Sequence, residues 1–236
     1  MDLRLFKNIV ILTGAGISAE SGIRTFRDQN GLWEDHRIED VATPEAFARN
    51  PALVQRFYNK RREQLRNPNV QPNAAHLALA ELEAQWEGSF LLVTQNVDNL
   101  HRRAGSKNLL HMHGRLDQIF CIHCDERFTW TEDLATDSQC QSCSRAGTLR
   151  PDIVWFGEMP YHMDEIYEAL DKAEIFISIG TSGNVYPAAG FVQLAWKARK
   201  IEINMKDTEI SAAFSEHRVG PASEEVPKLV RELLGE

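Results

Sequence analysis

Cysteine is scarce and confined: the 236 residues contain only Cys121, Cys124, Cys140 and Cys143, all within one short segment. Long apolar runs are also missing, since stretches such as Ile9 to Leu12 and Phe90 to Val93 fall far short of the roughly 20 residues that cross a bilayer as a helix. The first residues, MDLRLFKN, lack the charged-then-apolar layout of a secretory leader. Positive charge is in deficit, with 26 Lys and Arg against 34 Asp and Glu and a net charge of −8, which argues against nucleic acid as the main partner. Internal repeats, low-complexity tracts and long linkers are absent as well. What remains is a composition of 43% hydrophobic and 25% charged residues, that of a soluble globular chain. Its length suits one sizeable core, or a main domain with a small inserted one. A reducing cytoplasm is the expected compartment.

That compartment sets the reading of the cysteines. They form C-x2-C, fifteen residues, C-x2-C, the spacing at which two knuckles place four thiolates on one tetrahedral zinc ion. A cytoplasmic chain disfavours the alternative of two disulfides. Four thiolates complete the tetrahedron, so His111, His113 and His123 are not needed as ligands and the ion is structural. The histidines of HMHGRLDQIFCIHC therefore need another role.

Four short runs rich in β-branched residues read as buried strands: KNIVILTGAG, SFLLVTQNVDNL, EIFISIGTSG and RKIEINMKD. Helical patterns lie between them, over Pro51 to Leu65, Asn73 to Trp86, Met163 to Lys172, Gly190 to Arg199 and Ser223 to Leu234. The alternation predicts an α/β fold, a Rossmann-like parallel sheet with helices on both faces. Ligands bind such sheets beyond the carboxyl ends of the strands, where GAGISAESG, TQNVDN and GTSGN should converge. Two segments break the alternation: residues 36–76, with helices and no strand, and residues 114–150, with the cysteines. They are expected to build a small helical and zinc-binding domain. Residues 1–35, 77–113 and 151–236 then form the nucleotide-binding one.

GAGISAESG is not the usual dinucleotide fingerprint. Its glycines fall at Gly14, Gly16 and Gly22, and the acidic residue expected about twenty positions later is absent from GLWEDHR. A hydride-transferring Rossmann enzyme fits poorly.

Taken in order, GAGISAESGIRTFR with GLW, TQNVDNLH, HMHG, the cysteine quartet, RPDIVWFGE and GTSGNVYPAAG resemble the motifs of the sirtuins, the NAD-dependent protein lysine deacylases, and in particular the bacterial CobB type. The resemblance runs from about Asn8 to Leu234. It implies NAD consumed as a co-substrate, with the acyl group of a modified lysine passed to ADP-ribose and nicotinamide released. It assigns the general base to His113, a role suited to a group that titrates near neutrality. His111 reads as a packed or hydrogen-bonded neighbour. The resemblance places Gly14, Ala15 and Gly16 around the pyrophosphate, and Thr25, Phe26 and Arg27 on a loop that closes over NAD. Gln95, Asn96, Val97 and Asp98 are placed at the nicotinamide ribose and carboxamide. Gly180, Thr181, Ser182 and Asn204 fall at the adenosine side, and Glu20, Trp33, Met205, Lys206 and Ala222 are further candidate NAD contacts. Asn204-Met205-Lys206 departs from many relatives, which carry an acidic third residue. Val154, Phe156, Gly157 and Glu158 form one edge of the peptide site, and Asn184 and Val185 the other; the peptide would lie between them as an added strand.

Tyr58 and Arg61 stand three residues apart on a predicted helix and so share a face. A guanidinium fork with a phenol can hold a carboxylate. The resemblance extends to the class III subgroup, whose Tyr-x-x-Arg pair acts on succinyl, malonyl and glutaryl lysine. Desuccinylase and deacetylase activities are both expected. Acyl-coenzyme A synthetases are candidate targets, with neither nucleic acid nor membrane as main partner. The alternatives are a mono-ADP-ribosyltransferase and a zinc-bearing interaction module.

Overall fold

The computed structural model describes residues 6–24, 32–33 and 36–235. Its strands, in chain order, are β1 (Asn8–Thr13), β2 (Leu32–Trp33), β3 (His36–Arg37), β4 (Ser89–Thr94), β5 (Leu109–His111), β6 (Gly114–Cys121), β7 (Arg127–Thr129), β8 (Leu149–Ile153), β9 (Ile175–Ile179), β10 (Arg199–Asn204) and β11 (Glu216–Val219). The helices are α1 (Gly16–Ala19), α2 (Ile38–Val41), α3 (Pro44–Arg49), α4 (Pro51–Arg66), α5 (Ala74–Gln85), α6 (Leu100–Ala104), α7 (Met163–Lys172), α8 (Phe191–Leu194) and α9 (Ala222–Leu234).

Six strands form a parallel sheet in the order β11-β10-β9-β1-β4-β5. From β5 inward, chain order reads third, second, first, fourth, fifth, sixth, the order of a doubly wound dinucleotide-binding sheet. The direction of winding reverses between β1 and β9, so a crevice opens there. Side chains alternate across the sheet. Ile9 and Ile11 of β1 pack with Leu79 and Leu82 of α5 and with Val226, Leu229 and Leu233 of α9. Val10 and Leu12 pack the other way, against Ile166 and Leu170 of α7 and Phe191 and Val192 of α8. Burial on both faces is why the strands read as continuous apolar runs.

The long helices begin where the sequence supplies caps. The Asn50 side chain accepts from the Leu53 amide ahead of Pro51, and Asn73 forms a capping box with His76. A separate antiparallel sheet, β7-β6-β8, carries the cysteines. Its core joins Ile119, Leu134 and Leu149 to Cys121 and Cys140. A third cluster packs Val54, Phe57 and Tyr58 of α4 against Leu116, Ile153 and Trp155.

Two expectations need correction. The helix expected from Gly190 to Arg199 is only a 3-10 turn, Ala188–Gly190, followed by the single turn α8. Ala195 leaves helical geometry and the chain re-enters the sheet at Arg199, because Arg199 must pair with Ile175. Residues 36–76 also contain a strand, since His36–Arg37 pairs antiparallel with Leu32–Trp33.

Candidate active site

Three turns meet at the switch point. Gly14 follows β1, and its N–H donates to the Ile179 carbonyl (3.0 Å); the Gly16 N–H donates to the Gly180 carbonyl (2.9 Å). A Cβ on Gly16 would lie 2.6 Å from the Gly180 Cα, so the two turns interlock only as glycines. Gly180 has φ +61°, which favours glycine. Beside it, Asn204 at the end of β10 donates through Nδ2 to the Thr181 carbonyl (2.6 Å).

The turn after β4 supplies the next wall. Asn96 Nδ2 donates to the Gly14 carbonyl (3.0 Å) and to Ser18 Oγ (3.1 Å). Ser18 Oγ donates to Asp98 Oδ2 (2.9 Å), while Asp98 Oδ1 accepts from the Leu100 amide (2.9 Å). Burial raises the Asp98 pKa, and these donors oppose the shift. Beneath this wall, Thr13 Oγ1 donates to Thr94 Oγ1 (2.9 Å) and lies 3.0 Å from His101 Nε2.

His111 ends β5 and His113 lies just beyond it, and both lean on that turn through successive carbonyls. His113 Nδ1 lies 3.2 Å from the Gln95 carbonyl oxygen, and His111 Nδ1 lies 3.2 Å from that of Asn96. A carbonyl only accepts, so each Nδ1 carries the hydrogen and each neutral ring keeps its lone pair on Nε2. Burial lowers both pKa values, so both rings are neutral at pH 7. His113 lines the crevice, whereas His111 is buried behind it.

At the far end, the Tyr58 oxygen accepts from the Trp155 indole N–H (2.8 Å), and burial pushes the phenol's pKa upward. Arg61 lies on the same face of α4, 3.5 Å from the centre of the Phe57 ring, with Nη1 donating to the Phe57 carbonyl (2.7 Å). Arg150 makes a two-point contact with Glu158 (2.6 and 2.9 Å).

One crevice of about 810 Å³ connects all of this. Its walls include residues 14–16, 95–98, 180–182 and 204–206, together with His113, Tyr58, Arg61, Val154, Phe156, Gly157, Glu158, Asn184 and Val185. Glu20 and Ala222 lie elsewhere. The Glu20 carboxylate accepts from the Ser223 amide and hydroxyl (3.0 and 2.6 Å), and Ala222 is buried at the start of α9. Thr25, Phe26 and Arg27 fall outside the described residues, as does the side chain of Trp33. Sequence reasoning overlooked Ser18, Trp155 and Arg150.

The four cysteine sulfurs lie within 4.8 Å of one another. Cys121 and Cys143 are 3.7 Å apart, as are Cys124 and Cys140. Those gaps are too long for S–S bonds of about 2.05 Å but match the edge of about 3.8 Å in a tetrahedron with Zn–S bonds of about 2.3 Å. The set fits a structural zinc ion, and no histidine is among the clustered ligands.

The doubly wound sheet, the glycine crevice at its switch point and the four-thiol knuckle define an α/β nucleotide-binding protein with a zinc module. Comparison with known proteins makes the class specific. The Sir2 family profile matches residues 14–187, and the chain belongs to that family. It is 80% identical over 234 residues, 99% of this chain and 100% of the relative, to an NAD-dependent protein deacylase of Bdellovibrio bacteriovorus. Identity to a protein of the same description from Salmonella typhimurium is 57% over 228 residues, 96% of this chain and 84% of the relative. Among solved structures, a Sir2 homolog–NAD complex superposes with a TM-score of 0.89 at 39% identity, covering 98% of this chain and 91% of that one. A Sir2 protein bound to a myristoylated histone peptide gives 0.76 at 33% identity, with 98% and 93% covered. Among the described residues, no helix is long and apolar enough to cross a membrane.

Proposed function

We propose that this chain is an NAD-dependent protein-lysine deacylase that removes both succinyl and acetyl groups. The observation that carries the reading is that one crevice is lined by the interlocked glycine turns, by a neutral histidine with its lone pair on Nε2, and by the Tyr58–Arg61 pair. NAD would supply the acyl acceptor: its bond to nicotinamide breaks as the acyl carbonyl oxygen attacks the ribose carbon, and with one water consumed the amide C–N bond breaks, so the lysine amine leaves and the acyl group ends on ADP-ribose.

The residues divide this work. Gly14, Ala15 and Gly16 bring backbone amides to the pyrophosphate. Residues 180–182 and Asn204 hold the adenosine side. Asn96 and Asp98, cross-braced through Ser18, orient the nicotinamide end. His113 Nε2 takes the proton of a ribose hydroxyl, while the Gln95 carbonyl stabilises the imidazolium through Nδ1. Val154, Phe156, Gly157 and Glu158 on one side and Asn184 and Val185 on the other offer backbone to the substrate peptide. Tyr58 and Arg61 bind an acyl carboxylate, and acetyl enters the same pocket without them. Zinc, held by the four cysteines, stabilises the fold and takes no part in the chemistry. We propose that residues 1–35, 77–113 and 151–236 form the nucleotide-binding body and residues 36–76 and 114–150 the small helical and zinc domain. A reducing cytoplasm suits four cysteines that hold zinc and form no disulfide, and acyl-coenzyme A synthetases are proposed among the targets.

The test is mass spectrometry of one peptide carrying succinyl-lysine or acetyl-lysine, with and without NAD, on wild type and Arg61→Met. Loss of both acyl groups only with NAD, with desuccinylation alone lost in Arg61→Met, supports the reading. Intact acyl-lysine with folded, zinc-loaded protein overturns it. ADP-ribose label retained on protein would point instead to a transferase.

A further inference from the structure

Trp155 sits between two residues of the proposed peptide edge, yet its side chain turns away from them. It is 2% exposed, and its indole N–H ends 2.8 Å from the Tyr58 phenol oxygen. The ring is fixed from the other side, with the Arg150 guanidinium 3.3 Å from its centre. Arg150 is itself held by the Glu158 carboxylate and by the Ile153 carbonyl (2.8 Å). Glu158 also closes on the Trp155 backbone, since Oε2 accepts from the Trp155 amide (2.8 Å) and the Glu158 amide donates to the Trp155 carbonyl (3.0 Å). The indole therefore has little freedom in which to reorient.

An indole N–H is a donor only, so the phenol must be the acceptor in this pair. With that side of its oxygen occupied, Tyr58 is directed to act as a donor, and a hydroxyl that already accepts a hydrogen bond donates more strongly. A donor is what a carboxylate requires; an acetyl methyl makes no use of it. We propose that Trp155, braced by Arg150 and Glu158, is a specificity-determining positioning residue that fixes the Tyr58 phenol as a donor to acyl groups ending in a carboxylate. The inference rests on the carboxylate-binding reading of Tyr58 and Arg61. It adds that the acyl pocket is set by the loop on which the peptide lies, so peptide docking and acyl selection share one rigid piece.

The experiment is steady-state kinetics at saturating NAD on succinyl and acetyl forms of one peptide. It compares wild type, Trp155→Phe, Tyr58→Phe and the double variant. Phenylalanine keeps a ring beneath Arg150 and removes the N–H. Trp155→Phe should raise KM for the succinyl peptide about five- to tenfold, the effect of one hydrogen bond. Its kcat should stay within about threefold, and its acetyl KM within about twofold. The double variant should be no worse than Tyr58→Phe, because the effect passes through the phenol. Equal KM increases for both acyl groups, or additive losses in the double variant, overturn the inference and leave the deacylase reading standing. A wild type that leaves succinyl-lysine intact overturns the carboxylate reading, and this inference with it. Should Trp155→Phe not fold, NMR replaces it: Tyr58→Phe identifies the indole N–H signal that loses its acceptor. In wild type without NAD, that signal should shift with succinyl peptide and stay fixed with acetyl peptide. Equal shifts with the two peptides, or none, overturn the proposal.

Discussion

The proposed base, His113, has a carbonyl and not a carboxylate as the partner of its Nδ1. A carboxylate on Nδ1 would hold the ring charged; the Gln95 carbonyl fixes the tautomer and leaves burial free to lower the pKa. Two outcomes follow at this scale. His113→Tyr should abolish nicotinamide release coupled to deacylation while calorimetry still detects NAD binding, because the glycine turns are untouched. In wild type, kcat/KM should rise with pH through the depressed His113 pKa and be flat by pH 7. A rise continuing past pH 8 would exclude His113 as the base. The same burial acts on stability through His76, lowered to about 4, and through His101 and His111. Between about pH 6.5 and 4 the unfolded chain takes up a proton on His76 and the folded one does not, and the lowered pKa values of His101 and His111 act in the same direction, so stability is complete above about 6.5 and falls on acidification. The unfolding free energy from urea titration should therefore drop from pH 7.5 to pH 5.5 in protein that retains zinc, His76 alone contributing up to about 1.4 kcal/mol for each pH unit below 6.5. The cysteines were readable from sequence because their spacing carries the chemistry, whereas His113 was singled out by the resemblance of HMHG to a family motif. Ser18 and Trp155 were not, because their roles arise only from contacts to Asp98 and Tyr58, which lie 80 and 97 residues away.

At the scale of elements, the crevice depends on how closely β1 and β9 bring their turns. Gly16→Ala would place a methyl 2.6 Å from one backbone atom and 2.8 Å from another, both in Gly180. Backbone cannot swing aside as a side chain does, so overpacking of about 1–3 kcal/mol is expected. A lowered melting temperature with weakened NAD binding would confirm it; an unchanged melting temperature would show that the two turns are free to separate. The four central strands were legible as apolar runs because both their faces are buried. The edge strands were not. β5 spans only Leu109–His111, and β11 is Glu216–Val219, whose EHRV alternates between half-buried and exposed. Such segments form strands because a neighbour offers unpaired backbone, which no local pattern records. The overlong helix expected after Gly190 failed for a related reason: local propensity continues, but pairing of β10 with β9 pulls the chain out of the helix.

At the scale of the molecule, helix α4 joins the cysteine-bearing segment to the part of the crevice proposed as the acyl pocket. Gln55, Asn59 and Arg62 recur at i, i+4 and i+7, so they share one face. Gln55 Nε2 donates to the Leu149 carbonyl (2.9 Å), and Asn59 exchanges two hydrogen bonds with the Leu134 backbone (3.1 and 2.9 Å). Arg62 Nε donates to the Leu116 carbonyl (2.9 Å). Tyr58 and Arg61, each one position earlier than a member of that face, line the crevice instead. All three backbone partners lie within residues 114–150, the segment that carries the cysteines, and a structural zinc site contributes folding energy directly. Removing zinc should therefore loosen the grip on α4 before it disturbs the six-stranded sheet, whose core contains no residue of that segment. In protein stripped with a chelator, affinity for succinyl peptide should fall about tenfold or more, equivalent to about 1.4 kcal/mol or above. NAD affinity, measured by calorimetry on the same sample, should change much less, and both should recover on adding zinc. Parallel loss of the two affinities would mean that the module supports the whole sheet and not the acyl helix in particular.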